Sequence, residues 1–237
     1  MNEINYQKFS VLYIDDVIAV VYKPFGMLSV PAGNGRGGRT ALSCLEDYMR
    51  KTGRFSGHHQ PAAVHRLDRD TSGVLMFALT KPVQQKIMDN WQKMVTARTY
   101  VALAENGRRQ GNLPPKGTID SPLAFNAYHQ TYVPRDLSRL SPKEKKEMVS
   151  AVTHYTVLKT GKNHTLFELD LETGRKNQIR AHLSSIGCPI AGDENYRCRT
   201  NPYKRLCLHA RLLEFVHPVT KEKLRFEVPA PKEWANL

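Results

Sequence analysis

Acidic residues are under-represented in this 237-residue chain, and it has no long apolar run. No stretch approaches the roughly 20 apolar residues that a membrane-spanning helix needs, so no membrane partner is expected. The opening residues, Met1-Asn-Glu-Ile-Asn-Tyr-Gln-Lys8, lack the charged and apolar regions of a secretory leader. Cysteine is scarce: Cys44, Cys188, Cys198 and Cys207 form no C-x-x-C pair. That spacing argues against a zinc site and a disulfide framework, and predicts reduced thiols in a cytoplasmic protein. No metal site is expected. A phosphate loop of the G-x-x-x-x-G-K-[ST] type is also missing. There is no internal repeat, no disordered tail and no heptad pattern, so a monomer is expected.

What the chain has in excess is positive charge. Thirty-five Lys and Arg face 22 Asp and Glu, a formal net charge of +13. A domain this basic is suited to a polyanion, and nucleic acid is the commonest one. Between residues 172 and 211 the imbalance is eight to three. With 41% hydrophobic residues, the chain can bury a proper core.

Val11–Asp15 and Val17–Tyr22 read as two strands joined tightly at Asp15-Asp16, the second ended by Lys23-Pro24-Phe25-Gly26. Residues 31–39 form a basic, glycine-rich loop. Thr40 is placed to cap a helix carrying Ala41, Leu42, Leu45, Tyr48 and Met49. A second helix is predicted after Thr80, with Pro82 in its first turn and an apolar face of Val83, Ile87, Trp91, Met94 and Val95. Thr99–Ala104 reads as a strand. Residues 105–150 are the least ordered by composition, with a short exposed helix at Ser141–Met148. Phe167, Leu169 and Leu171 alternate with acids in a half-buried strand. Gln178–Ile186 is a helix ending at Gly187, and strands follow near Leu206–Phe215 and Lys223–Val228. Strands and helices are mixed, so the fold class is α+β.

Two segments carry chemistry. His65-Arg66-Leu67-Asp68-Arg69-Asp70-Thr71-Ser72-Gly73 sets one carboxylate, Asp68, between two arginines just before the apolar run Val74–Leu79. That run reads as a buried strand, and an ionised carboxylate beside it is costly unless paired. Asp68 is therefore a structural ion pair or a catalytic group. Gly174-Arg175-Lys176-Asn177-Gln178-Ile179-Arg180 opens the last long helix. Backbone N–H groups at a helix start favour anions, and Arg175 and Lys176 add to that. Arg180 lies next to the buried stripe and needs an acceptor, for which Asp68 is one candidate.

These blocks resemble the motifs of the RluA-type RNA pseudouridine synthases. The nine residues from His65 to Gly73 are similar to that family's signature, and Lys23-Pro-Phe-Gly-Met-Leu28 to its first motif. Arg98-Thr-Tyr-Val-Ala102 resembles its tyrosine-bearing strand, and Gly174–Leu183 its third motif. Pro189-Ile-Ala-Gly-Asp193, then Leu208-His209-Ala210 with His217-Pro218, resemble the segments that follow. Six blocks occur in order, from about residue 11 to the end.

The resemblance implies a long, mixed, mostly antiparallel sheet with flanking helices and a central active-site cleft. It implies one catalytic domain over 1–237 with no separate N-terminal RNA-binding domain, and an insertion at 126–149 that matches no motif. It makes Asp68 the catalytic aspartate, Tyr100 the tyrosine that packs on the uracil and helps remove the C5 proton, and Arg180 the partner of the aspartate. Arg66 would fill the gap left by a flipped-out nucleotide, and Ile179 and Leu183 would shape the apolar pocket wall. The reaction breaks N1–C1′ and joins C5 to C1′ with no net change in atoms, so no cofactor is implied. Attack of Asp68 on C6, attack on C1′ and removal of a C2′ proton all remain open.

Asn177 stands where the family usually has histidine, and it cannot gain a charge. Tyr22 stands where asparagine is frequent. The substrate is ribosomal RNA, transfer RNA or both; Met27-Leu-Ser-Val-Pro31 leans toward dual-specificity or tRNA-acting members. One rival reading is a non-catalytic RNA-binding or RNA-folding protein on the same scaffold. The other is a hydrolase using Asp68 with Asp70, for which the basic charge gives no support.

Overall fold

In the computed structural model, residues 4–32, 38–107, 113–127 and 130–237 are described. Most of the predicted basic loop at 31–39 lies outside these residues. The chain divides into two compact units, Met1–Arg98 with His209–Pro231, and Thr99–Leu208 with Lys232–Leu237.

The first unit is built on β1 (Ser10–Ile14), β2 (Ile18–Lys23), β3 (Ala62–Ala63), β4 (Ser72–Ala78), β11 (Leu208–Val216) and β12 (Lys223–Glu227). Strand order runs β1-β2-β4-β11, with β12 on β11 and β3 on β4. Only the β4–β11 pairing is parallel among these strands. The apolar runs seen in the sequence become β2 and β4, both buried along their whole length. Ile18, Val20, Tyr22, Val74 and Met76 form one packed face with Leu213 and Phe215.

Helix α1 (Ala41–Lys51) begins at Thr40, whose hydroxyl accepts from the Ser43 N–H in a capping box. Helix α2 (Lys81–Asp89) is likewise capped by Thr80. The helix expected to reach Val95 is shorter. Asn90 leaves helical geometry at φ −116° and turns its amide back to the Lys86 carbonyl at 2.9 Å. One more turn, α3 (Trp91–Met94), precedes β5 (Val95–Glu105), which starts four residues earlier than predicted.

The second unit holds most of β5, then β6 (Lys116–Ile119), β9 (Thr153–Thr160) and β10 (His164–Leu171), ordered β5-β10-β9-β6 and antiparallel throughout. Within the composition-poor stretch 105–150, β7 (Ala124–Phe125) and β8 (Thr131–Tyr132) pair as a small ribbon. Helix α4 (Pro142–Glu147) has no buried residue, as its lysines and glutamates predict. Helix α5 (Gln178–Ser185) buries Ile179, Ala181 and Leu183. Leu123, Ala151, Ala181 and Tyr196 pack together with Val133 and Val149, so the ribbon's surroundings share a core with α5.

Candidate active site

In the first unit, the segment before β4 is fixed by polar groups that spend their bonds on backbone. Leu67 is buried, and its N–H and C=O both bond the Ser29 hydroxyl, at 3.0 and 2.7 Å. Asp68 follows, half-buried, and its carbonyl accepts from the Thr71 N–H in a turn. Arg66 is exposed on the same segment. Asp70 pairs with its neighbour Arg69 through two bonds of 3.0 Å at the surface, which agrees with a structural role.

Lys23 lies beneath this segment with no exposed surface. Its Nζ donates to the carbonyls of Pro24, Met27 and Arg69 at 3.0, 2.7 and 3.0 Å. An ammonium has three N–H bonds, and three carbonyls receive them. The first motif is thereby tied to the residue next to Asp68.

Ser72 starts β4 and donates to His209 Nδ1 at 2.8 Å, because His209 Nε2–H is committed to the Val228 carbonyl at 2.9 Å. Gly73 sits at φ +130°, and a Cβ there would stand 2.2 Å from the Ala210 carbonyl oxygen. Only glycine allows this close parallel approach. His65 Nε2 accepts the Met76 N–H at 3.1 Å, and its ring lies 4.8 Å from Trp91. Burial, aided by the Arg98 charge, pushes its pKa down to about 3, so it is neutral. His65, His209 and His217 are all hydrogen-bonded within the fold, the last through Nε2 to Asp15 at 3.0 Å.

The second unit carries the remaining candidates. Tyr100 is half-buried on β5, opposite Leu169 of β10. Arg180, in the first turn of α5, makes a two-bond fork with Asp193: Nε to Oδ2 at 2.7 Å and Nη2 to Oδ1 at 2.8 Å. Its guanidinium carbon lies 4.9 Å from the Tyr196 ring centre. Asp193 was visible as the end of a motif block, but nothing in its spacing marked it as a partner of Arg180. Ile179 and Leu183 are 4% and 0% exposed. Arg175 and Lys176 are exposed just before the helix, with Arg175 Nε on the Ser150 carbonyl at 3.0 Å. Asn177 adopts left-handed geometry at φ 53° and makes no side-chain cap.

Gln178 is a further residue whose role its sequence context does not mark. Its amide oxygen accepts from Thr173 Oγ1 and the Arg175 N–H, and its nitrogen donates to the Val152 carbonyl and Thr153 Oγ1, all within 3.0 Å. Thr153 Oγ1 contacts His182 Nδ1 at 2.9 Å, while His182 Nε2–H donates to the Ser121 carbonyl at 3.0 Å. Burial lowers the pKa of this histidine too. All four cysteines are free thiols. Among the described residues, no group of three or more His, Cys, Asp or Glu is placed to hold a metal ion. Nor, among those residues, is any helix long and apolar enough to cross a membrane.

Comparison with known proteins agrees with the motif reading. Residues 17–185 match the family described as RNA pseudouridylate synthase. An RNA pseudouridine synthase of Bacillus subtilis is 34% identical over 234 residues, covering 98% of this chain and 72% of the relative. Ribosomal large subunit pseudouridine synthase D of Haemophilus influenzae is 34% identical over 250 residues, covering 96% and 69%. Two human structures share the fold. RNA Pseudouridylate Synthase Domain Containing 1 has a TM-score of 0.70 at 22% identity over 97% of this chain and 86% of its own. Domain Containing 4 has 0.73 at 23%, over 95% and 90%. With motifs, fold and relatives in agreement, the chain belongs to the RluA-type family of RNA pseudouridine synthases, enzymes that isomerise uridine within RNA.

Proposed function

We propose that this enzyme converts particular uridines of ribosomal RNA to pseudouridine, with Asp68 as the catalytic carboxylate. The observation that carries the role of Asp68 is the set of hydrogen bonds that hold its segment on both sides. Leu67 is bonded on both sides by Ser29, the Arg69 carbonyl is held by buried Lys23, and Thr71 closes the turn. A group that must meet one atom of a substrate needs such placement.

Tyr100 packs on the uracil and helps remove the proton from C5. Arg180 favours the ionised form of the aspartate. Breaking N1–C1′ and forming C5–C1′ loses one proton from C5 and gains one at N1, so the step needs no cofactor. A stacked uridine must first be extruded, at a cost of a few kcal/mol, and Arg66 fills the gap it leaves. Arg175 and Lys176 contact the RNA backbone, and Ile179 with Leu183 forms the apolar wall. The protein acts as a monomer in the cytoplasm.

The names of relatives such as the Haemophilus influenzae enzyme support ribosomal RNA as substrate. Transfer RNA, toward which Met27–Pro31 leans, is the second substrate class in the same test. That test is a pseudouridine map of total host RNA with and without the gene, complemented by wild type or Asp68→Asn. Sites lost in the deletion and restored by wild type alone support the assignment and identify the RNA. Rescue by Asp68→Asn would instead favour the non-catalytic RNA-binding reading.

A further inference from the structure

We infer that Asp193 and Tyr196 are positioning residues for Arg180, and that β8 of the 126–149 segment is part of their support. The inference rests on the role proposed above for Arg180. A guanidinium carries five N–H bonds in a rigid plane. Asp193 engages Nε–H and one Nη2–H together, at 2.7 and 2.8 Å. Two parallel bonds on one edge fix the rotation of the plane, which a single bond does not. The Tyr196 ring, 4.9 Å from the guanidinium carbon, supports the group as a cation–π contact. The Nη1 end, which Asp193 does not engage, is thereby given a set direction.

The supports are themselves held. The Asp193 side chain is 1% exposed, and the Asp193 carbonyl accepts from the Tyr196 and Cys198 N–H groups, both at 3.1 Å. The Tyr196 hydroxyl donates to the Thr131 carbonyl of β8 at 2.6 Å, in a buried position. Gln130 adds a bond from its amide nitrogen to the Asn195 carbonyl at 2.6 Å. A run of contacts therefore leads from β8 through Tyr196 to Arg180. Burying an ion pair this deeply is weak as a source of stability, because desolvation offsets the attraction. Orientation of the guanidinium is what the arrangement provides.

The test uses the RNA identified by the map, single-turnover rates, RNA affinity, and the variants Asp193→Asn, Tyr196→Leu and Arg180→Ala, singly and combined. Asp193→Asn is expected to slow the single-turnover step by about 100-fold with RNA affinity unchanged. Tyr196→Leu is expected to slow it about tenfold. Combined with Arg180→Ala, neither should slow the reaction beyond Arg180→Ala alone, since each acts through that arginine. If Asp193→Asn does not fold, Tyr196→Leu carries the same comparison without unpairing a buried charge. Effects that multiply independently in the double variants, or wild-type rates in both single variants while Arg180→Ala is impaired, would overturn the inference and leave Arg180 in place. An Arg180→Ala enzyme with an undiminished rate would remove the role of Arg180 and the inference with it.

Discussion

Lys23→Met isolates the contribution of the buried ammonium. Methionine nearly matches the length of the lysine stem and keeps its apolar contacts, so little cavity is created. It strips the donors from the Pro24, Met27 and Arg69 carbonyls, now bonded at 3.0, 2.7 and 3.0 Å. Hydrogen bonds from a charged donor contribute about 1.5–3 kcal/mol each. Against that, the wild type bears the desolvation of a side chain with no exposed surface, which the variant recovers. The Pro24–Met27 turn can also rehydrate, since Phe25 within it is 39% exposed. We expect a net loss of about 3 kcal/mol, a large part of the 5–15 kcal/mol typical of a folded domain. Urea unfolding at neutral pH should show a midpoint lowered by about 1 M with its slope unchanged. Catalysis should fall as well, because the freed Arg69 carbonyl adjoins Asp68. A stability change below about 1 kcal/mol would mean that the three carbonyls find equal partners without Lys23, and the reasoning would be wrong.

Gly73→Ala should cost at least about 3 kcal/mol through both backbone strain and overlap, because its Cβ would meet the Ala210 oxygen at 2.2 Å. Gly26→Ala, at φ +76° in open space, should cost only about 1 kcal/mol. Thermal unfolding giving equal losses for the two would contradict the close approach. Gln178→Leu should destabilise by about 2–4 kcal/mol, since it leaves several buried donors and acceptors unpaired. Amide exchange should then accelerate at Arg175, whose N–H bonds the Gln178 side chain at 3.0 Å; retained protection there would argue that Gln178 does not hold this turn. His65 is held neutral down to about pH 3, while its unfolded form takes up a proton near 6.5. The unfolded chain therefore binds more protons between these values, so stability is full above about pH 6.5 and falls as pH drops toward 3. His182, shifted the same way, adds to the slope. Unfolding followed between pH 7 and 4.5 should show a smaller loss for His65→Gln, whose amide can accept the Met76 N–H and does not titrate; equal slopes would refute a neutral His65.

Much of this architecture is readable from the sequence because its signals are local. Continuous apolar runs mark β2 and β4, Thr40 and Thr80 announce their helices, and Ser141 with Glu144 forms the capping box of α4. The misread helix end has a physical cause. Trp91 and Met94 of a single turn, followed by Val95 of a strand, continue the apolar spacing of α2, so periodicity alone does not reveal the break at Asn90. Lys23 was hidden because a lysine before proline reads as the exposed end of a strand. Its burial depends on register, which sets it opposite Gly73 of β4. Asp193 was hidden for a different reason. A sequence holds many carboxylates and does not rank them by distance to Arg180, so nothing in it singles out the one thirteen residues away.

The residues that escaped the sequence reading share a property that bears on how the enzyme works. Lys23, Gln178 and Asp193 are polar, nearly or wholly buried, and committed to several bonds each. Apolar side chains could have filled these volumes at lower desolvation cost, as replacements of buried ion pairs show. An RNA-binding surface alone would not require them, since phosphate contacts are made by exposed basic side chains that tolerate motion. The roles proposed for Asp68 and Arg180 would require them, because misplacement of a catalytic group by about 1 Å can cost about 100-fold in rate. The buried polar groups converge on the two segments that carry Asp68 and Arg180, each within its own unit. This distribution favours catalysis over binding alone as the reason the scaffold is built as it is.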